Sequence, residues 1–166
     1  SSSSDNPLYY ILAGPMEVPY LGIAKSEPEK RRFVYCISHN VWNDGYASAD
    51  IVNHNKRHVI PTGITWIQIR DQNRFLTTSP FGRPGKPEEW KPWLWLRDAA
   101  DTKLNFLWER TRATTRADCS DAGMAYFLLT GDEDVEIGKL RDLLEGKRVP
   151  RPQSPRRRIR LEAENF

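Results

Sequence analysis

The sequence predicts an α+β domain: a small sheet begun by an antiparallel hairpin, packed by two helices and followed by a basic carboxy-terminal tail. Three observations carry this. Two apolar runs, residues 8–12 and 18–24, flank a Gly14-Pro15 break, the pattern of a β-hairpin with a turn between its strands. Residues 64–70 (ITWIQIR) alternate, with Thr65, Ile67 and Ile69 on one face and Trp66, Gln68 and Arg70 on the other, as a strand requires. Further on, apolar residues recur at threes and fours over two long segments, the spacing of one helical face.

Taken in order, the hairpin is followed by Ser26-Glu27-Pro28-Glu29, a capping box with proline in the first turn, and then by Lys30, Arg31 and Arg32. In residues 30–42, Phe33, Ile37 and Val41 make a helical stripe, while the run from Phe33 to Ile37 is also rich in strand formers. The capping box favours helix. Residues 43–49 contain Asp44-Gly45 and read as a turn. Residues 50–58 read as a short helix capped by Asp50, or as a loop. After the strand at 64–70, residues 71–73 turn the chain, and 74–77 can pair back. Residues 79–87 hold three prolines and two glycines and form a stiff loop. A long helix is expected from between Glu88 and Pro92 to about Thr115, with Trp93, Leu96, Ala100, Leu104 and Leu107 as its stripe. Residues 118–123 break the pattern, and 124–130 (MAYFLLT) read as a buried strand. The acids Asp132, Glu133 and Asp134 precede a last helix to about Glu145, with Gly146 as its stop.

The 166 residues suit one globular domain, residues 7–146, and a tail, residues 147–166. Six Trp, six Tyr and six Phe supply a modest core. Cys36 and Cys119 form no C-x-x-C pair, so neither a structural zinc site nor a disulfide framework is expected. No apolar run approaches the length of a membrane span, and an intracellular setting is the expectation. The opening SSSSDN lacks a Met and reads as an added segment or a cut from a longer chain. Charge is uneven: residues 1–146 carry 18 basic and 20 acidic side chains, whereas 147–160 carry seven basic and none acidic. With its three prolines and no core-forming run, the tail is expected to be extended or disordered until a partner orders it, serving nucleic acid or an acidic protein surface.

Candidate chemistry gathers at the start of the chain. Tyr9 and Tyr20 sit on the expected hairpin, and a cationic segment follows it directly. Phenols beside guanidinium groups suit a phosphodiester, whose phosphoryl charge arginine offsets. His54 and His58 are four apart but lack the glutamate of H-E-x-x-H, which argues against zinc hydrolase chemistry. The same segment offers Lys56, Arg57 and His58 to phosphates, as the tail offers Arg156, Arg157 and Arg158. The acids at 132–134 read as a helix cap, and Trp90, Trp93, Trp95 and Trp108 as core.

Pro7-Leu8-Tyr9, ten residues, then Tyr20-Leu21-Gly22 resembles the signature of the GIY-YIG nucleases. Gly22-Ile23-Ala24-Lys25-Ser26 resembles the segment that follows it, and Arg31 or Arg32 falls near the family's helix-start arginine. Pro7 stands where the family has Gly, and the resemblance covers residues 7–32 only. It implies a metal-dependent endonuclease using Mg²⁺ or Mn²⁺. One of Tyr9 and Tyr20 would then help to activate the attacking water and the other support the site, Arg31 or Arg32 would bind the scissile phosphate, and Glu136 or Glu109 would hold the metal. The implied partner is nucleic acid, DNA more than RNA. The alternative is a non-catalytic module that binds nucleic acid or protein through its tail, as a subunit of a larger assembly. A third reading is an enzyme acting on a small molecule in a pocket of Trp and His.

Overall fold

The computed structural model describes residues 2–46, 54–79 and 82–147. They fall into two compact units divided between Asp71 and Gln72.

The first unit is built on three strands, β1 (Leu8–Ile11), β2 (Val34–Ser38) and β3 (Thr65–Gln68), hydrogen-bonded in that order. Both pairings are parallel, with Tyr9 opposite Tyr35 and Cys36 opposite Trp66. The expected antiparallel hairpin is therefore not formed. Its second run is a helix, α1 (Glu17–Ala24). Proline has no N–H to give a sheet but is tolerated in a helix's first turn, where Pro19 lies. Met16, Pro19 and Ile23 are buried at helical spacing. A crossover element of this kind is what parallel neighbours require.

Residues 30–42 are corrected too. Pro28–Phe33 form a 3₁₀ segment, and Val34–Ser38 are β2, largely buried. The strand formers prevail because this strand is central, with partners on both sides. The supposed capping box is not made: Glu27 precedes the 3₁₀ segment without a side-chain capping hydrogen bond, and the Ser26 hydroxyl donates backwards to Ile23 O at 2.6 Å. Helix α2 (Val41–Gly45) follows β2 with Asn40 as its cap. Helix α3 (Lys56–Val59) is capped by Asn55, whose side chain accepts from Arg57 N–H. Of the turn expected at 43–49, residues 43–45 are instead the end of α2, while 47–49 and Asp50 lie outside the described residues. The core of this unit comprises Leu12, Met16, Ile23, Val34, Cys36, Val59 and Trp66.

The second unit is helical among its described residues. The long helix expected from 88–92 to 115 is three shorter ones, α4 (Pro87–Trp90), α5 (Leu94–Arg97) and α6 (Thr102–Ala113). Pro92 sits in a 3₁₀ turn after α4, and Asp101 starts α6 afresh by accepting from Lys103 N–H at 2.8 Å. The strand expected at 124–130 is the end of helix α7 (Ser120–Thr130). Gly123 lets that helix approach the buried Gln72: a Cβ there would stand 2.5 Å from Gln72 Oε1. The last helix, α8 (Ile137–Leu144), stops where Gly146 adopts positive φ. There Gly146 N–H bonds Leu143 O and Lys147 N–H bonds Asp142 O, the Schellman pattern. Trp90, Trp93 and Trp108 are in the core. No helix among the described residues is long and apolar enough to cross a membrane.

Candidate site at the carboxyl edge of the parallel sheet

The two signature tyrosines stand on different elements. Tyr9, on the edge strand β1, is exposed and stacks on Tyr35 with ring centroids 5.2 Å apart. Tyr20, on α1, stacks on His54 at 3.5 Å. Arg31 is engaged by backbone: its Nη2 donates to Ala24 O and Ser26 O, both at 2.9 Å, and its Nε to Ser26 Oγ at 3.3 Å. It closes the carboxyl end of α1. The Arg32 guanidinium lies 4.8 Å over the Phe33 ring. Glu109 is exposed on α6 and Glu136 is exposed at the start of α8, both in the second unit. Among the described residues no three His, Cys, Asp or Glu side chains converge as metal ligands would. Arg156, Arg157 and Arg158 lie outside the described residues.

In a parallel sheet, the loops that leave the carboxyl ends of the strands are where ligands are taken. Ser38 ends β2 and Gln68 ends β3. The Ser38 hydroxyl donates to Asp44 Oδ1, on α2. Asp44 is 4% exposed, and its Oδ2 has no hydrogen-bond partner among the described residues. Burial raises its pKa above the usual carboxylate value, while the Ser38 hydroxyl, Lys56, Gln68 and His39 pull the other way. Gln68 ties the edge together. Its Oε1 accepts from Lys56 Nζ at 3.2 Å and from Trp66 Nε1 at 3.0 Å, and its Nε2 donates to Ser38 O at 3.3 Å. Beside them the buried His39 has Nδ1 3.4 Å from Asp71 Oδ1.

A second cluster begins where the loop after β1 enters α1. Glu17 Oε2 accepts the backbone N–H of His54 at 2.8 Å and faces its Nδ1 at 3.0 Å. These contacts, the backbone N–H foremost, hold the Glu17 carboxyl below its ordinary pKa despite partial burial. An ionised carboxylate only accepts, so His54 carries its proton on Nδ1 and leaves Nε2 basic. His58 is fixed the other way. Its Nδ1 accepts the Asn55 N–H at 3.1 Å, which puts the proton of the neutral ring on Nε2. The two imidazoles meet edge to face with centroids 5.3 Å apart.

The same region carries exposed aromatic surface. Trp42 and Tyr46, at α2 and just after it, stack with centroids 4.5 Å apart, and are 62% and 38% exposed. Sequence reasoning passed over Glu17, Ser38, Asp44 and Gln68, and read His54 against a zinc motif and as part of a phosphate-contacting segment. The signal was topological: each follows or ends a strand, or is brought to one, and that becomes visible only when the strands are known to be parallel.

No family model matches the chain, and no solved structure matches it. It is similar to a protein of Formosa agariphila named uncharacterized protein P22, at 26% identity over 161 residues. The match covers 88% of this chain and 54% of that protein, so the chain spans about half the length of the curated relative it matches.

Proposed function

We propose that the first unit binds single-stranded nucleic acid along the carboxyl edge of its sheet. The observation that carries this is the exposed Trp42–Tyr46 stack on the helix that leaves β2. Lys56 and Arg57 of α3 supply positive charge to the same edge. Bases stack on aromatic side chains whatever their sequence, while cations track the backbone. Asp44 and Gln68 add polar groups that suit a donor-bearing ligand.

The geometry supports this reading better than metal-dependent cleavage of the GIY-YIG kind. That mechanism places its tyrosines on one two-stranded ribbon, and here the second run is α1. It also needs a phosphate-facing arginine, and Arg31 faces the carbonyls of Ala24 and Ser26 instead.

The test is a titration of the full chain with a fluorescent single-stranded oligonucleotide, repeated with Trp42→Ala. Stacking contributes about 1–3 kcal/mol per base, so the variant is expected to bind about five-fold to 150-fold more weakly. Equal binding by the variant, or no binding by the wild-type chain, overturns the proposal.

A further inference from the structure

We propose that His54, held by Glu17, is a general base that cleaves the RNA backbone at this edge, using the ribose 2′-hydroxyl as nucleophile. The inference rests on the strand-binding reading above and names the strand it acts on.

The geometry singles out His54. Glu17 accepts from both the backbone N–H and Nδ1 of this residue, and Tyr20 lies flat against its ring at 3.5 Å. The ring is thereby fixed in plane, in tautomer and in direction, and its side chain remains 20% exposed. A carboxylate behind a histidine also stabilises the imidazolium that forms once the proton is taken. His58 has a different part. Its Nδ1 accepts the Asn55 N–H, so its Nε2–H is a fixed donor to a phosphoryl oxygen. Lys56 and Arg57, between the two histidines in sequence, add charge for the same anion.

The step balances without another reactant. Nε2 of His54 takes the 2′-hydroxyl proton as that oxygen attacks the adjacent phosphorus. The P–O5′ bond breaks, and the departing oxygen takes a proton from water. The hydroxide so formed receives the proton from the His54 imidazolium. The products are a 2′,3′-cyclic phosphate and a 5′-hydroxyl. A strand lacking the 2′-hydroxyl has no internal nucleophile, so the site cuts RNA and only binds DNA.

The experiment incubates the full chain in EDTA with a single-stranded RNA oligomer and with its all-deoxy counterpart. Binding of each is read by anisotropy, and products are read by mass spectrometry. The expected result is similar binding of both strands, cleavage of the RNA alone, and products ending in 2′,3′-cyclic phosphate. His54→Ala is expected to lose cleavage at least 100-fold while affinity changes less than three-fold. Glu17→Gln, which keeps the shape of the contact, should lose cleavage by a smaller factor. Binding without cleavage by the wild-type chain overturns this inference and leaves the binding reading standing. Absence of binding overturns both. Cleavage of the deoxy strand, or undiminished cleavage by a folded His54→Ala, removes His54 from the role.

Discussion

Asp44 is buried where a charge lowers stability. It is buried, one oxygen has no partner among the described residues, and its pKa is raised chiefly by burial. A carboxyl group whose folded pKa lies above the unfolded value binds its proton more tightly in the native state. Folding stability then falls as pH rises from the ordinary carboxylate range through the raised value. Once ionised, the buried group is a net cost. Asp44→Asn keeps an acceptor for the Ser38 hydroxyl and removes the buried charge. It should raise stability at pH 7 by about 1 kcal/mol. That advantage should shrink as pH falls and vanish below the unfolded carboxylate's range. Urea unfolding of both chains across pH checks it, and a variant less stable at pH 7 than at pH 3, relative to wild type, contradicts it. A side chain retained against stability is characteristic of a working site.

At the scale of the element, Arg31 shows how one residue type in one place serves two different readings. In sequence it stands where a phosphate-binding arginine is expected. In the fold its guanidinium takes up the carbonyl of Ala24, an orphan acceptor of the kind every helix leaves at its end, and that of Ser26 just beyond α1. Arg31→Ala should therefore cost stability, about 1.5–3 kcal/mol for the loss of charged hydrogen bonds, with affinity for an oligonucleotide changed less than two-fold. Denaturant unfolding and anisotropy together decide it. If the variant keeps its stability and loses binding, Arg31 is a phosphate contact after all. The strand at 64–70 and the helix stop at Gly146 were legible because local pattern and tertiary demand agree there. Residues 18–24 and 124–130 were not, because an unbroken apolar run satisfies strand and helix alike. In the first run Pro19 carried the deciding information. In the second it lay outside the run, in Ser120 to Gly123, which extend α7 backwards. In 30–42 the error ran the other way: an apparent cap outweighed a run of strand formers that the centre of a sheet required.

Across the whole molecule the two units differ in kind, a parallel sheet with short helices and a helical unit. No composition signal marks the change at Asp71–Gln72, since charged and aromatic residues run through both. The site was illegible for a related reason: a carboxyl edge exists only once strand direction is known, and direction depends on α1 being a crossover. Charge, by contrast, is fully legible. The chain's net positive charge comes from residues 147–160, whose seven cations have no acid among them. Binding to a single strand should therefore draw on two sources, the edge cations and the tail, and salt separates them. Each phosphate neutralised contributes about −0.7 to the slope of log affinity against log salt for single strands. Ending the chain at Lys147, just past the stop of α8, removes six basic residues and should flatten the slope by up to about 4. The double change Lys56→Ala, Arg57→Ala should flatten it by about 1.4, and both changes should lose their effect at high salt, where stacking on Trp42 still operates. A slope unmoved by the truncation would show that the tail holds no phosphate, and one unmoved by the double change would take the carboxyl edge off the path of the strand.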